Sequence, residues 1–329
     1  MSNEHAILRK LIEACTRTIS LATKSESYSA EKVREITTTV SQWVREIADE
    51  GEWNDAEAVG LRSAVQIAFQ VIHARHEKKD ALAGLYTGFT ELDALLGGMR
   101  SGELIAVASE PCAGKSALAA QIAMHVSTAE QHVCVFSMKR AATEYTLRLI
   151  AALGPIDREH LRDGRIREKD WPRVTSAIKA LSDAPIIIDA TPSQSAASLR
   201  ARMRGMRSMH AARLVVIDHL ELMDKPDLAF ELRAFAREFD VTVIVLAQTR
   251  GPVGEQVRLV DRSLENHADA ILLLDRDQSI SGESAKQQEA RIIVARNRNE
   301  RTGSLKLRYL PQYAKFEDWP KRNRENPTT

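Results

Sequence analysis

Net charge, cysteine and long apolar runs are all scarce in this sequence, and each shortage excludes a class of protein. The 46 Lys and Arg residues nearly balance the 45 Asp and Glu residues, leaving a formal net charge of +1 over 329 residues. This balance excludes a nucleic-acid binder that relies on bulk positive charge, and equally an acidic disordered tail protein. The three cysteines, Cys15, Cys112 and Cys134, are odd in number and widely spaced. They fit neither a disulfide framework nor a structural zinc site, so we expect them to be reduced.

Long apolar segments are also missing. No stretch approaches the roughly 18 consecutive apolar residues that a membrane-spanning helix needs, and residues 1–10 contain no apolar signal core before their first charges. The sequence therefore predicts a cytoplasmic protein with no membrane partner. Hydrophobic residues nevertheless make up 44% of the chain, which is enough for at least one full core.

Two sequence patterns divide the chain. Residues 5–79 carry apolar side chains at helical spacing and predict three amphipathic helices. From Leu104 onward, short apolar runs alternate with helical stretches, which indicates an α/β fold. We therefore predict a small all-α N-terminal domain over residues 1–82, an α/β domain over residues 83–319 and a flexible tail over residues 320–329.

Eight apolar runs in the second region are predicted strands. They are Leu104 to Ala108, Val133 to Phe136, Pro185 to Ile188, Leu214 to Ile217, Val241 to Leu246, Ile271 to Leu274, Ile292 to Ala295, and Leu305 to Leu310. Near-continuous apolar runs are typical of strands that helices cover on both faces, so the sheet should be mainly parallel.

The clearest motif is a short loop between the first of these strands and an alanine-rich helix. Its residues are Glu110, Pro111, Cys112, Ala113, Gly114, Lys115, Ser116 and Ala117. A phosphate-binding loop requires this strand, loop and helix context. Gly114 lets the backbone approach phosphate oxygens, Lys115 can reach the β and γ phosphates, and the Ser116 hydroxyl can bind Mg²⁺. Because Ser109 replaces the first glycine of the general motif, a turn with a chance Gly-Lys-Ser is the alternative.

A second acidic element is expected at the end of another buried strand, and the run Leu214–Asp218 supplies it. Asp218 would hold the magnesium shell through water. Alone, an aspartate at the end of an apolar strand is often only a turn residue. Together with Lys115 and Ser116, it indicates a magnesium-dependent nucleotide site.

Several short segments between Thr87 and about Trp319 follow a recognisable order. They are Thr87–Asp93, Pro111–Ser116, Phe136–Met138, Ile187 with Asp189, Thr191 and Pro192, Val216–Leu220, Leu246–Gln248, Ala268–Asp269, and Ala295–Asn299. In this order they resemble the motor domain of the bacterial replicative helicase (DnaB) family, and the combination is far more specific than any one segment. The resemblance implies a RecA-like P-loop NTPase core.

The resemblance also implies a ring, normally a homo-hexamer, with ATP bound between subunits and coupled to movement on single-stranded DNA. In that scheme Lys115 and Ser116 bind ATP and Mg²⁺, and Asp218 supports the metal. Gln248 would sense the γ-phosphate and couple it to DNA. ATP and Mg²⁺ are the cofactors that this scheme requires.

Arg298, with Arg296 beside it, matches the family's arginine finger. The resemblance implies that Arg298 reaches the neighbouring subunit's nucleotide, a role worth ~10³–10⁵ in rate in other NTPases. The two arginines lie two positions apart at a predicted strand end, so their side chains emerge on one face. A solvated basic strand end is the alternative.

The sequence departs from the family where the catalytic carboxylate is expected, just after the second core strand. Lys139 stands there, and a charged lysine cannot accept a proton from the attacking water. Losing a general base typically costs ~10²–10⁴ in rate. Either Glu110 or Glu221 takes over this role and leaves an active motor, or the protein binds nucleotide and hydrolyses it slowly. Both readings stay open.

Two further departures concern DNA and partners. The loops expected to line the channel are short, which predicts weaker or more selective DNA contact, with Arg250, Arg258 and Arg262 as possible phosphate contacts. Residues 1–82 do not align with the family's N-terminal helical domain. They would form a docking platform for other replication proteins, a linker helix over Asp55–Glu77 that packs on a neighbouring motor domain, or a self-contained three-helix bundle.

The leading hypothesis is a DnaB-like ATP-dependent DNA helicase acting in DNA replication. The competing hypothesis is a hydrolysis-deficient relative that binds ATP and assembles with, loads or regulates another helicase. Lys139 and the short loops favour the second hypothesis. A separate basic face, formed by Arg200, Arg204 and Arg207 at helical spacing, indicates either a DNA or partner surface or an ordinary solvated helix face.

Overall fold

The structure is a computed structural model, and the chain divides into two compact units, Met1–Lys79 and Asp80–Thr329. The residues that it describes are 84–320 apart from 210–211, 224–226, 252, 254–258, 278–286 and 299–300, together with the helical positions Leu61, Val65, Gln66 and Phe69. The other positions of the predicted N-terminal helices, and the predicted tail beyond Pro320, lie outside the described residues. The domain boundaries stay predictions.

In the described residues, nine strands form one sheet. In chain order they are β1 (Leu104–Ser109), β2 (His132–Ser137), β3 (Ile186–Asp189), β4 (Ala212–Asp218), β5 (Thr242–Gln248), β6 (Ala270–Arg276), β7 (Gln288–Asn297), β8 (Gly303–Leu310) and β9 (Lys315–Asp318). Their order across the sheet is β3-β2-β4-β5-β1-β6-β7-β8-β9. All eight predicted strands are present, and β9 is an addition that the sequence pattern did not predict.

The six strands β3, β2, β4, β5, β1 and β6, in their order across the sheet, form its parallel part. β1 lies between β5 and β6 and pairs with both in parallel register, so that Ser109 lies opposite Gln248. Every residue of β1 is buried, as expected for a strand covered on both faces. The predicted α/β fold with a mainly parallel sheet is confirmed.

Helices cover this sheet. Those described from Thr90 onward are α1 (Thr90–Leu96), α2 (Lys115–Thr128), α3 (Ala142–Leu153), α4 (Arg158–Arg162), α5 (Trp171–Ser182), α6 (Ala196–Met209), α7 (Leu228–Glu238) and α8 (Ser263–His267). None of the helices in the described part of the chain is both long and apolar enough to cross a membrane.

Two apolar cores lie on opposite sides of β1. Ile105 and Val107 belong to the core that contains α2, whereas Ala106 and Ala108 belong to the core that contains α6 and α7. This division follows from strand geometry, because successive side chains point to opposite faces of a sheet. β1, and the loop at its end, are therefore fixed from both sides.

The last three strands extend the sheet in antiparallel fashion. β7 alternates buried and less buried residues, the pattern of a strand covered mainly on one face. β9 is held against α2 by a reciprocal pair of hydrogen bonds. Gln121 Nε2 donates to the Phe316 carbonyl at 2.9 Å, and the Phe316 N–H donates to Gln121 Oε1 at 2.5 Å.

The basic face of α6 is engaged within the chain. Arg200 Nε donates to Glu238 Oε2 at 3.0 Å, and Arg204 Nη2 donates to Glu238 Oε1 at 3.4 Å. Arg200 also lies 3.8 Å from Glu231. These ion pairs join α6 to α7. The side chain of Arg207 lies outside the described residues, and both interpretations of the basic face stay predictions.

Candidate nucleotide site

The candidate site lies at the carboxyl edge of the parallel strands, where ligands of open α/β folds bind. β1 leads into the phosphate loop, Glu110–Gly114, and α2 begins directly after it. Because β2, β4 and β5 run parallel to β1, the segments that follow them reach the same edge. The topology thus brings Lys139, Asp218 and Gln248 to the loop.

Lys115 is enclosed by the loop that precedes it. Its Nζ donates hydrogen bonds to the Ser109 carbonyl, the Ser109 hydroxyl and the Glu110 carbonyl, each at 3.1 Å. Gly114 caps α2 with a φ of 114°, a conformation that glycine adopts without strain. A Cβ at this position would meet Phe316 Cζ at 2.9 Å. The loop is therefore closely packed, and the first N–H groups of α2 are available to an anion.

Ser116 and Asp218 form the candidate magnesium site. Ser116 Oγ donates to Asp218 Oδ1 at 3.1 Å, and the two residues are only 9% and 1% exposed. Hydroxyl and carboxylate oxygens are hard donors that suit Mg²⁺, which also keeps several waters and binds substrate phosphates. The residues present therefore fit the metal that the sequence predicts.

Opposing effects act on Lys115. Burial lowers the pKa of its ammonium from the ordinary value, while the carboxylates of Glu221 and then Asp218 act in the opposite direction. Lys139 adds a weaker repulsion. A phosphate bound beside Lys115 would raise the pKa of its ammonium and so favour the charged form.

Glu221 links the end of β4 to the end of β5. Its Oε1 accepts a hydrogen bond from the Gln248 N–H at 2.5 Å, and its Oε2 lies 3.7 Å from His219 Nδ1. Burial acts to raise the pKa of Glu221, but hydrogen bonds from His219 and from the backbone of Glu221 and Gln248 outweigh it and hold the pKa below its ordinary value. The carboxylate is therefore ionised at neutral pH.

A cavity of about 250 Å³ opens between the phosphate loop and the neighbouring strand ends. Besides Lys115, it is lined by four basic side chains, those of Lys139, Arg140, Arg148 and Arg158. Lys139 is exposed and follows β2 by two residues. A lysine thus lines the phosphate cavity at the position where the family resemblance predicts a carboxylate.

Arg276 stabilises the loop, and no sequence motif pointed to this arginine. It lies at the end of β6 and donates from Nη2 to the Cys112 carbonyl at 2.6 Å and from Nε to the Ala113 carbonyl at 3.0 Å. Its guanidinium also lies 4.7 Å from the ring centroid of Tyr309. Only its place at a strand end beside the loop could have pointed to this role.

The two arginines of the predicted finger lie at the opposite edge of the sheet. The Arg298 N–H donates to the Asp269 carbonyl at 2.9 Å, and the Asp269 N–H donates to the Leu104 carbonyl at 2.8 Å. Leu104 begins β1, and the phosphate loop follows the other end of this six-residue strand, about 17 Å away. Neither Arg298 nor Arg296 can therefore reach the phosphate loop of its own chain.

Comparison with known proteins supports the family resemblance that the sequence suggested. Residues 84–318 match the model of the DnaB-like helicase C terminal domain. A replicative DNA helicase DnaB from Leifsonia xyli is 30% identical over 335 residues, which cover 96% of this chain and 72% of the relative. The chain belongs to the DnaB-like helicase family. The replicative DNA helicase DnaC of Bacillus subtilis is also 30% identical, over 95% of this chain and 72% of that relative.

Solved structures share the fold. One solved ATPase domain has a TM-score of 0.69 and 25% sequence identity, covering 78% of this chain and 99% of its own. A DnaB-like replicative helicase, solved in a study of its interactions with primase, has a TM-score of 0.72 and 24% identity over 96% of this chain and 77% of its own. The DnaB-like ATPase domains thus share the RecA-like core of this chain.

Proposed function

We propose that this chain is an ATP-dependent DNA helicase acting in DNA replication. Its subunits form a homo-oligomeric ring, normally a hexamer, with ATP and Mg²⁺ bound between them and hydrolysis coupled to movement on single-stranded DNA. The observation that carries the proposal is the separation within one chain of the phosphate loop from Arg298. A complete site needs both groups, and two neighbouring subunits can supply them.

The phosphate loop and the Ser116–Asp218 pair support magnesium-dependent ATP binding. The residues from Glu110 to Ala117 would surround the phosphates, and Lys115 would contact the β and γ groups. Mg²⁺, when bound, neutralises charge on the β and γ phosphates. A cavity of about 580 Å³ shares Arg148 and Arg158 with the phosphate cavity, and it leaves room for the nucleoside.

Assembly of a ring is supported by a second observation in the N-terminal unit. Leu61, Val65 and Phe69 are helical, lie at i, i+4 and i+8, and are 80%, 58% and 65% exposed. An apolar stripe of this kind suits contact with another protein surface. We assign it to the predicted linker helix, with the motor domain of a neighbouring copy as the partner; other replication proteins are the alternative partner of residues 1–82.

Glu221 is our candidate for the carboxylate that accepts the proton of the attacking water. It is ionised, it lies close enough to Lys115 to influence its pKa more than Asp218 does, and it contacts the proposed γ-phosphate sensor Gln248. Glu110 is the weaker candidate, because the contact it makes to Lys115 comes from its backbone carbonyl. With Glu221 in this role, the chain can hydrolyse ATP although Lys139 stands where the family resemblance predicts a carboxylate.

Coupling to DNA is proposed through the segment that follows Gln248. The Val260 N–H donates to the Gln248 carbonyl at 2.9 Å, and Thr249 bridges to Leu259, so the two ends of this loop meet at the sensor. Arg250, exposed beside it, is a candidate phosphate contact, as are Arg258 and Arg262. Contacts of this kind make binding to single-stranded DNA depend on salt.

A second candidate function is favoured by one observation, the lysine in the phosphate cavity. In this reading Lys139 holds ATP without a general base nearby, and the chain assembles with, loads or regulates another helicase. Such a protein would bind ATP tightly and turn it over very slowly.

Steady-state ATP hydrolysis with and without single-stranded DNA separates the two functions. DNA-stimulated turnover that Lys115→Ala abolishes supports the helicase, whereas tight nucleotide binding with no turnover supports the regulator. The intersubunit site is tested by mixing Arg298→Ala protein with Lys115→Ala protein. Mixed rings contain interfaces with an intact loop and an intact finger, so hydrolysis should recover; without recovery, Arg298 does not act between subunits.

A further inference from the structure

We propose that Asp269 is a positioning residue for Arg298, holding its guanidinium where the nucleotide of a neighbouring subunit can meet it. This inference rests on the proposed function, in which Arg298 acts between subunits. Asp269 lies just before β6 and is 8% exposed. A nearly buried carboxylate needs partners to offset its desolvation, and those of Asp269 include two arginines and the start of the phosphate-loop strand.

The side chain of Asp269 accepts two hydrogen bonds and makes an additional ion pair with Arg233. Oδ1 accepts from Arg298 Nη1 at 3.3 Å and lies 3.1 Å from Arg233 Nη2. Oδ2 accepts from the Leu104 N–H at 3.0 Å. The backbone of Asp269 is also fixed, since it donates to Leu104 and accepts from Arg298. The carboxylate is therefore anchored to β1, and it holds Arg298 from that anchor.

Arg298 is held without being buried. Its Nη2 donates to the Asn266 carbonyl at 3.2 Å, next to the bond from Nη1 to Asp269. A guanidinium has five N–H donors, so these two bonds leave donors that can reach an anion outside the chain. With 33% of its side chain exposed, Arg298 can keep its bond to Asp269 while it contacts a nucleotide across an interface.

Charge explains why a carboxylate is needed at this point. Four arginines lie close together here. The positive charges of Arg298, Arg237 and Arg296 each act to lower the pKa of the fourth, Arg233. Burial is the main reason that the pKa of Arg233 is lowered, and Asp269 acts in the opposite direction. Without the negative charge of Asp269, repulsion from these neighbours would displace the guanidinium of Arg298, whose side chain is 33% exposed.

The alternative is a purely structural role, in which Asp269 only ties β6 to β1. Asp269→Asn separates the two roles. Asparagine has the same shape and can still accept a hydrogen bond from Leu104, but it lacks the charge that holds Arg233 and Arg298. If Asp269 only ties β6 to β1, hydrolysis should be unaffected by this change. If Asp269 positions Arg298, hydrolysis should fall.

The test measures kcat for ATP hydrolysis by the assembled full-length protein with single-stranded DNA. We expect Asp269→Asn to lower kcat by about 10²-fold, as small misplacements of catalytic groups can, with little change in the binding of a fluorescent ATP analogue. The matched control is Asp275→Asn. Asp275 is on the same strand, β6, and pairs with Arg291 of β7 at 2.8 Å, so its loss should leave kcat within about twofold, as for an exposed pair.

Mixing experiments locate the defect. Asp269→Asn protein mixed with Lys115→Ala protein should recover activity, because the first supplies intact loops and the second intact fingers. Asp269→Asn mixed with Arg298→Ala should not recover, because both fingers are impaired. A normal kcat, a loss of nucleotide binding, or recovery in the second mixture but not the first would overturn the proposal.

Further measurements distinguish a wrong role for Asp269 from a wrong proposed function. If Arg298→Ala and Lys115→Ala restore each other but Asp269→Asn and Lys115→Ala do not, the intersubunit finger stands and the role of Asp269 is wrong. If Asp269→Asn protein does not assemble, Asp269→Glu is used instead, since it keeps the negative charge but the longer side chain moves the carboxylate away from its place beside Arg298. It should show a milder finger defect with the same mixing pattern, and full activity would count against the proposal.

Discussion

The hydroxyl of Ser116 and the carboxylate of Asp218 lie 3.1 Å apart, although 102 positions separate the two residues in the chain. Ser116 lies in the first turn of α2, and Asp218 ends β4. Because β4 and β1 both run toward this edge, the fold itself brings the two oxygens together. Two oxygen donors at this separation can serve one cation shell.

Loss of the Ser116 hydroxyl or of the Asp218 negative charge should impair the magnesium-dependent step. We expect Ser116→Ala and Asp218→Asn each to lower ATP hydrolysis by roughly 10²-fold, since a metal ion supplies several kcal/mol of charge stabilisation. Hydrolysis should be followed as MgCl₂ is titrated. Ser127→Ala is the matched control, because Ser127 is also a buried serine of α2 and bonds Met124 instead. An unchanged magnesium dependence in both site variants would refute the assignment.

Gly114→Ala should weaken ATP binding more than an alanine substitution at another glycine with positive φ. Its φ of 114° is strained for alanine, and the new methyl group would lie 2.9 Å from Phe316. Strain of about 1–3 kcal/mol predicts a loss of about tenfold in ATP affinity, measured by nucleotide titration. Gly164→Ala is the control, since its φ is 67° but nothing lies within 4 Å of the added methyl. Equal affinities for the two variants would contradict the packing argument.

The loop and the parallel strands could be predicted because their signals are local. A buried strand shows as an apolar run, and Gly114, Lys115 and Ser116 are adjacent in sequence. β9 could not be predicted, because Phe316 is its only apolar residue, so it forms no apolar run, and its reciprocal bonds to Gln121 span 195 positions. The contact between Glu221 and Gln248 was missed for the same reason.

The place of Arg298 illustrates a second limit. Its spacing from Arg296 predicts a shared face, but not which edge of the sheet the pair occupies. That depends on β7 running antiparallel to β6, which sets Asn297 opposite Ala270. Long-range pairing of this kind, together with the contacts that the Asp269 side chain makes, follows from topology and not from the residues nearby in sequence.

The identity of the catalytic carboxylate leads to a prediction with two variants. If Glu221 accepts the proton, Glu221→Gln should lower hydrolysis by about 10²–10⁴-fold with nucleotide binding retained, and adding Lys139→Glu should restore part of the rate. If the chain is instead a slow binder, Glu221→Gln should change nothing and Lys139→Glu alone should raise hydrolysis. Single-turnover assays on assembled protein distinguish these results. Glu289→Gln, which alters an exposed carboxylate paired with Lys306 on the neighbouring strand β8, is the control.

Tyr145 should be replaceable by phenylalanine with a gain in stability. The side chain is 1% exposed on α3, and within the described residues its hydroxyl has no hydrogen-bond partner. Burial, and then the negative charge of Asp218, raise the pKa of this phenol, so the hydroxyl stays neutral. An unpaired buried hydroxyl costs about 1–3 kcal/mol, and Tyr145→Phe removes that cost while keeping the ring. We expect Tm to rise by about 2–6 °C in calorimetry without nucleotide; a lower Tm would mean that the hydroxyl has a partner after all.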